Sequence, residues 1–104
     1  MLLMELNYWH EGLSHEKMME CIARRTEYTY PEGSAPIAEY WPAGVGRDIP
    51  AVVSIFEAED FAPFMQLEMM WSEYFDMKFF PIVSADEGVK FLMEAMAELE
   101  VLVG

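Results

Sequence analysis

Residues 2 to 9 alternate, with Leu2, Met4, Leu6 and Tyr8 on one side of an extended chain and Leu3, Glu5, Asn7 and Trp9 on the other. This two-residue period predicts a half-buried strand. Gly12 breaks the run, and Ser14 supplies the hydroxyl that caps a helix beginning at His15. Met18, Cys21, Ile22 and Arg25 fall on one stripe of that helix, which fades before Pro31 and Gly33. The connection "TYPEGSAP" is a loop. A second strand is expected over residues 36 to 42, with Ile37, Glu39 and Trp41 on one face and Ala38 and Tyr40 on the other. "AGVGRDIP" follows, where Gly44 and Gly46 can take the positive backbone angles of a hairpin. The β-branched run "AVVSIFEA" is the third strand, paired antiparallel with the second.

Asp60 caps a second helix expected over residues 61 to 75, and Pro63 is tolerated because it falls in the first turn. Phe64, Leu67, Trp71 and Tyr74 form its apolar stripe, broadened by Met65, Met69 and Met70. "MKFFPIV", residues 77 to 83, is the fourth strand, and Pro81 marks it as an edge or a bulge. Ser84 and Glu87 form a capping box that opens a third helix lined by Val89, Leu92, Met93 and Met96. Residues 101 to 103 fit the end of that helix, an edge strand or a contact with another subunit. The order β, α, β, β, α, β, α with right-handed crossovers is the split βαβ arrangement of an α+β fold. It places a four-stranded antiparallel sheet with its helices on one face.

The chain has 104 residues, one domain's worth, and is 54% hydrophobic and 14% aromatic. Such a composition folds, and for so short a chain it leaves apolar surface for a subunit interface or a cavity. Six basic against nineteen acidic residues give a net charge of -13. This charge repels phosphate backbones and anionic headgroups, so neither nucleic acid nor a membrane is an expected partner. Cys21 is the single cysteine, which suits a reducing compartment. The first residues carry Glu5 inside their apolar run and no basic leader, and no uncharged apolar run approaches a membrane span. A soluble, cytoplasmic protein is expected.

His10 and His15, with Glu11 and Glu16 beside them, flank the turn between the first strand and the first helix. Two imidazoles and a carboxylate suit zinc or non-haem iron, although five residues across a turn is no recognised ligand spacing. His10 serves better as a general base at a cavity mouth, since an imidazole titrates near neutral pH. Cys21 has Arg24 and Arg25 one turn away, yet it shares the apolar stripe and reads as core. Glu57, Glu59 and Asp60 complement the dipole of the second helix. Glu39 and Glu68 are the acids expected to face a cavity. "GVGRD" lacks the following helix of a phosphate cradle and reads as a hairpin. The ten methionines read by default as core packing.

The element order resembles the ferredoxin-like subunits of the dimeric alpha/beta barrel superfamily. The stretch "FEAEDFAPFMQLEMMWSEYFDMKFFPIVSADEG" is similar to one small uncharacterised family within it, in which a strand ending in Glu-Ala leads to a Trp-bearing helix and then to a strand ending in Pro-Val or Pro-Ile. The resemblance implies a homodimer with sheets packed face to face and a cavity between each sheet and its helices, and it lends no agreed activity. Haem-degrading and quinone-forming monooxygenases of the superfamily use a first-strand Asn, a Trp and, in the haem-binding type, a His on the second helix. Asn7 matches in element and Trp71 supplies an indole, but residues 61 to 75 hold no His, so haem is not expected.

With helices over the face bearing Leu2, Met4 and Leu6, the opposite face would carry Leu3 and Trp9 together with some of Trp41, Phe79 or Phe80. Leaving such side chains in water costs about 1.5 to 3 kcal/mol each, which a partner sheet removes. The reading is therefore a homodimer, without cofactor or metal, that holds a small apolar or aromatic ligand between sheet and helices. Trp9, Trp41, Trp71 and Phe64 are its expected pocket. The alternatives are a cofactor-independent monooxygenase or isomerase acting on a small aromatic, with Asn7, His10 and Glu39 as its expected catalytic set, and a metal held by His10 and His15.

Overall fold

The computed structural model describes residues 1–103. It contains β1 (Leu2–Trp9), α1 (His15–Glu27), β2 (Ser34–Tyr40), β3 (Val52–Ala58), α2 (Phe61–Trp71), β4 (Phe75–Pro81) and α3 (Ala85–Val103). All pairings are antiparallel and the sheet order is β2-β3-β1-β4, so the fold is the expected ferredoxin-like α+β. Helix entry follows local chemistry. Ser14 Oγ accepts from the Lys17 amide at 3.1 Å, Asp60 Oδ1 from the Ala62 amide at 2.9 Å, and Ser84 Oγ from the Glu87 amide at 3.2 Å. Pro81 closes β4 on the sheet edge, where its missing N–H leaves no ladder bond unmade. Gly46, with φ of 152°, turns the loop between β2 and β3, whereas Gly44 does not take a positive angle.

Several boundaries differ from the sequence reading. β2 (Ser34–Tyr40) and β4 (Phe75–Pro81) each lie two residues earlier than the ranges 36 to 42 and 77 to 83. α2 stops at Trp71 rather than running to residue 75, because the Tyr74 amide folds back on the Trp71 carbonyl at 3.0 Å and Phe75 enters β4 opposite Trp9. Residues 101 to 103 continue α3 as helix, the first of the three arrangements the sequence leaves open.

The larger correction concerns which sheet face is covered. Leu3, Glu5 and Asn7 are buried beneath α1 and α2 with Val52, Ser54, Phe56 and Ala58 of β3, whereas Leu2, Met4, Leu6 and Tyr8 lie on the open face. Both faces of β1 carry apolar residues. The choice is made by the core of Leu3, Cys21, Phe56, Leu67, Trp71, Tyr74 and Phe75, which gathers on one side. The methionines are corrected in part. None is buried, and Met19, Met65, Met69, Met93 and Met96 are exposed, while Met70 and Met77 pack half-buried against the core. No residue of α3 is buried. No helix is long and apolar enough to cross a membrane among the described residues.

Candidate functional site

Antiparallel register sets one polar row across the covered face. Glu39 of β2 pairs with Ser54 of β3, and Ser54 pairs with Glu5 of β1, with Asn7 two residues further along β1 and so on the same face. Above this row stand Cys21 and Arg25 of α1, Tyr28, and Trp71 of α2, while Trp41, Val52 and Phe75 complete the walls of a crevice between sheet and helices. The space within this half-open crevice is about 30 Å³, room for a water-sized guest. Trp71 meets Tyr28 edge to face at 5.0 Å between ring centroids, which gives the crevice an aromatic wall.

Glu5 and Asn7 are both buried, and Glu5 Oε1 and Asn7 Oδ1 have no hydrogen-bond partner within the described residues. Buried acceptors without partners are costly, on the order of 1–3 kcal/mol each, and are rare in folded proteins. Burial raises the Glu5 carboxyl to a pKa of about 7; the Asn7 side chain opposes this shift, and the charge of Glu39 adds to it. A buried carboxyl that titrates near neutrality can hold or release a proton under physiological conditions.

The outer side of the crevice is polar and organised. Arg25 Nε donates to Glu39 Oε2 at 3.0 Å and Oε1 at 3.2 Å, and Trp41 Nε1 donates to Glu39 Oε2 at 2.8 Å. The guanidinium also lies over the face of Tyr28, 5.4 Å from the ring centroid. Cys21, on the inner wall, is held as a thiol because burial pushes its pKa up to about 11.

Of the residues singled out in the sequence, the structure brings Asn7, Glu39, Trp41 and Trp71 to this crevice. It places the others elsewhere. His10 lies at the end of β1, where Nε2 is 2.6 Å from the Ser72 carbonyl oxygen and Nδ1 is 2.8 Å from Asp76 Oδ1, so both ring nitrogens are engaged in joining β1 to the α2–β4 turn. Trp9 stacks on Phe75 at 4.6 Å between centroids, and Phe64 packs on Phe79 at 4.5 Å. His15 is exposed at the start of α1, and Glu68 is exposed on α2. No group of three or more His, Cys, Asp or Glu side chains is arranged to hold a metal among the described residues.

Glu5, Arg25, Tyr28 and Ser54 are site residues that the sequence reading did not single out. The available signal was the Leu3-Glu5-Asn7-Trp9 face itself, in which two polar residues sit between two large apolar ones. A wider hollow of about 610 Å³ lies by Tyr8, Trp9, Glu11, Arg47, Asp48, Asp76 and Lys78. It is open to solvent, and its charges of both signs stand at exposed positions.

A family model described as a domain of unknown function, DUF3303, matches residues 1–96. No curated protein and no solved structure matches the chain.

Proposed function

The chain belongs to the DUF3303 family, and from that premise we propose that it is a homodimeric small-ligand-binding protein whose site is the crevice over Glu5 and Asn7. The observation that carries the reading is the pair of buried oxygens, Glu5 Oε1 and Asn7 Oδ1, left without partners on an aromatic-walled surface. Asn7 Oδ1 accepts, and so does Glu5 Oε1 in the ionised form that prevails above about pH 7, so the ligand is a small aromatic or apolar molecule bearing a hydroxyl or N–H group. Its ring lies against Trp71 and Tyr28, and its donor reaches the carboxyl and the amide. Because the crevice holds only about 30 Å³, a ring-sized ligand needs more room, which Arg25 and Glu39 supply by parting. No cofactor enters this reading.

The homodimer rests on the open sheet face. Leu2, Met4, Leu6, Val53 and Ile55 stand on it, half-buried by their strand neighbours alone, and Phe80 is exposed beside Met4. A second copy of the same face removes this apolar surface from water.

A second reading, a cofactor-independent isomerase or monooxygenase acting on a small aromatic, is favoured by one observation, the raised pKa of Glu5. A carboxylate that titrates at about 7 accepts a proton from a bound hydroxyaromatic far better than an ordinary surface acid.

Titration with a panel of simple phenols, followed by NMR at the indole N–H groups of Trp41 and Trp71 and at the Glu5 carboxyl carbon, tests the site. Saturable shifts in the parent that weaken at least tenfold in Glu5→Ala and Asn7→Ala are the expected result. Absence of saturable shifts at all three probes, or equal shifts in parent and variants, removes the crevice as the site. The dimer is tested by light scattering, which is expected to return twice the chain mass at micromolar concentration.

A further inference from the structure

α2 is apolar on both sides. Its inner side buries Pro63, Leu67 and Trp71, while Phe61, Met65 and Met69, spaced four residues apart, form a second stripe that is 69%, 57% and 79% exposed. A helix apolar all round is a helix that is covered on both sides. α3 presents a matching surface. Val89, Leu92, Met93, Met96 and Leu99 recur at helical spacing, and every large apolar side chain from Val89 to Leu102 is more than half exposed.

The size of the uncovered surface indicates what covers it. A folded monomer of 12.0 kDa exposes about 6,000 Å², whereas this chain exposes 7541 Å². The surplus of about 1,500 Å² per chain, about 3,000 Å² for two, falls in the range of obligate homodimers. The radius of gyration is likewise 17.2 Å, against about 13 Å for a compact chain of this length. Sheet-to-sheet contact covers the open face of β1 and β3 but leaves both helix stripes in water.

We propose that α3 is an exchanged arm, its stripe centred on Leu92, Met93 and Met96 packing against the outer stripe Phe61, Met65 and Met69 of α2 in a second copy of this chain. The inference rests on the homodimer reading and extends it, because a two-fold axis repeats the pairing and covers both stripes of both copies at once. The exposed Met65, Met69, Met93 and Met96 thereby acquire a place, since their flexible thioethers fill an irregular helix-helix seam. α3 spans about 28 Å at 1.5 Å per residue, longer than the whole of α2, so the contact extends along the full outer stripe.

Full-length chain carrying Cys21→Ala with Met69→Cys and Met93→Cys is oxidised at micromolar concentration and resolved on a denaturing gel, beside each single-cysteine chain and their mixture. Expected is a covalent dimer from the paired chain and from the mixture, but from neither single-cysteine chain alone. Leu92→Glu with Met96→Glu, at positions already exposed within one chain, provides a second measurement. Its dimer dissociation constant is expected to rise at least tenfold with the far-ultraviolet dichroism unchanged. Closure within one chain, no crosslink in a dimeric parent, or an unchanged dissociation constant overturns the arm. A monomeric parent overturns the homodimer reading itself.

Discussion

Arg25 of α1 and Glu39 of β2 meet over the crevice, Nε to Oε2 at 3.0 Å, and the Trp41 indole donates to the same carboxylate oxygen at 2.8 Å. The pair is partly exposed, so its net worth to stability is small, at most about 1 kcal/mol. Its position matters more than its energy. Arg25→Met keeps most of the hydrophobic stem and removes the fork. We expect a loss of stability below about 1 kcal/mol, together with faster hydrogen exchange at the Trp71 indole, measured by NMR. Unchanged exchange would show that the pair does not guard the crevice.

Glu5 makes stability depend on pH in a direction opposite to that of an ordinary ion-paired acid. Its pKa in the folded chain is raised from 4.5 to about 7, so the native state binds the proton more tightly than the unfolded state. That contribution is full below the unfolded pKa and is lost as pH rises through about 7. The shift corresponds to a difference of about 3 kcal/mol between the two ends of the window. Glu5→Gln cannot ionise, so urea unfolding at pH 5 and pH 8 is expected to show a smaller decline for the variant than for the parent. Equal declines would mean that Glu5 is solvated after all.

Much of this architecture is legible in the sequence, and what is not has identifiable causes. Ser14, Asp60 and Ser84 announce their helices because capping chemistry is local, and Pro81 announces an edge because a missing N–H cannot be shared. The covered face is not legible, because Leu2, Met4 and Leu6 form the more apolar side of β1 yet face outward, while Glu5 and Asn7 go in. Register decides this: Leu3 lies opposite Phe56 and Asn7 opposite Val52, and no residue of β1 states its partner. Asn7, Glu39, Trp41 and Trp71 were legible as chemistry-bearing types, but Glu5 looked like a charge interrupting an apolar run. The end of α2 was hidden because Tyr74 continues the helical stripe by spacing although it lies in the turn beyond it.

His10 illustrates the distinction between a reactive residue type and a reactive position. Both ring nitrogens face acceptors, the Ser72 carbonyl and the Asp76 carboxylate, and its backbone amide donates to the Tyr74 carbonyl at 3.0 Å. His10→Ala removes the side-chain bonds and is expected to cost about 1 kcal/mol in urea unfolding. Phenol-induced shifts at Trp71 are expected to stay within twofold of the parent, because the ring lies outside the crevice. A tenfold loss of those shifts would return His10 to the site.

The net charge of -13 on each chain opposes the joining of two copies. The stripes proposed to meet are apolar, so salt cannot weaken their pairing by screening attraction between opposite charges; it acts chiefly on the repulsion between two acidic molecules. α3 adds to that repulsion, since Asp86, Glu87, Glu94, Glu98 and Glu100 face only Lys90 as a basic residue on the same helix. The screening length falls from about 30 Å at 0.01 M salt to about 10 Å at 0.1 M, a change on the scale of the subunit itself. Sedimentation equilibrium across that range is therefore expected to show the dimer tightening severalfold as sodium chloride is added. A dimer that loosens with salt would place attractive ion pairs, rather than methionine and leucine, at the contact.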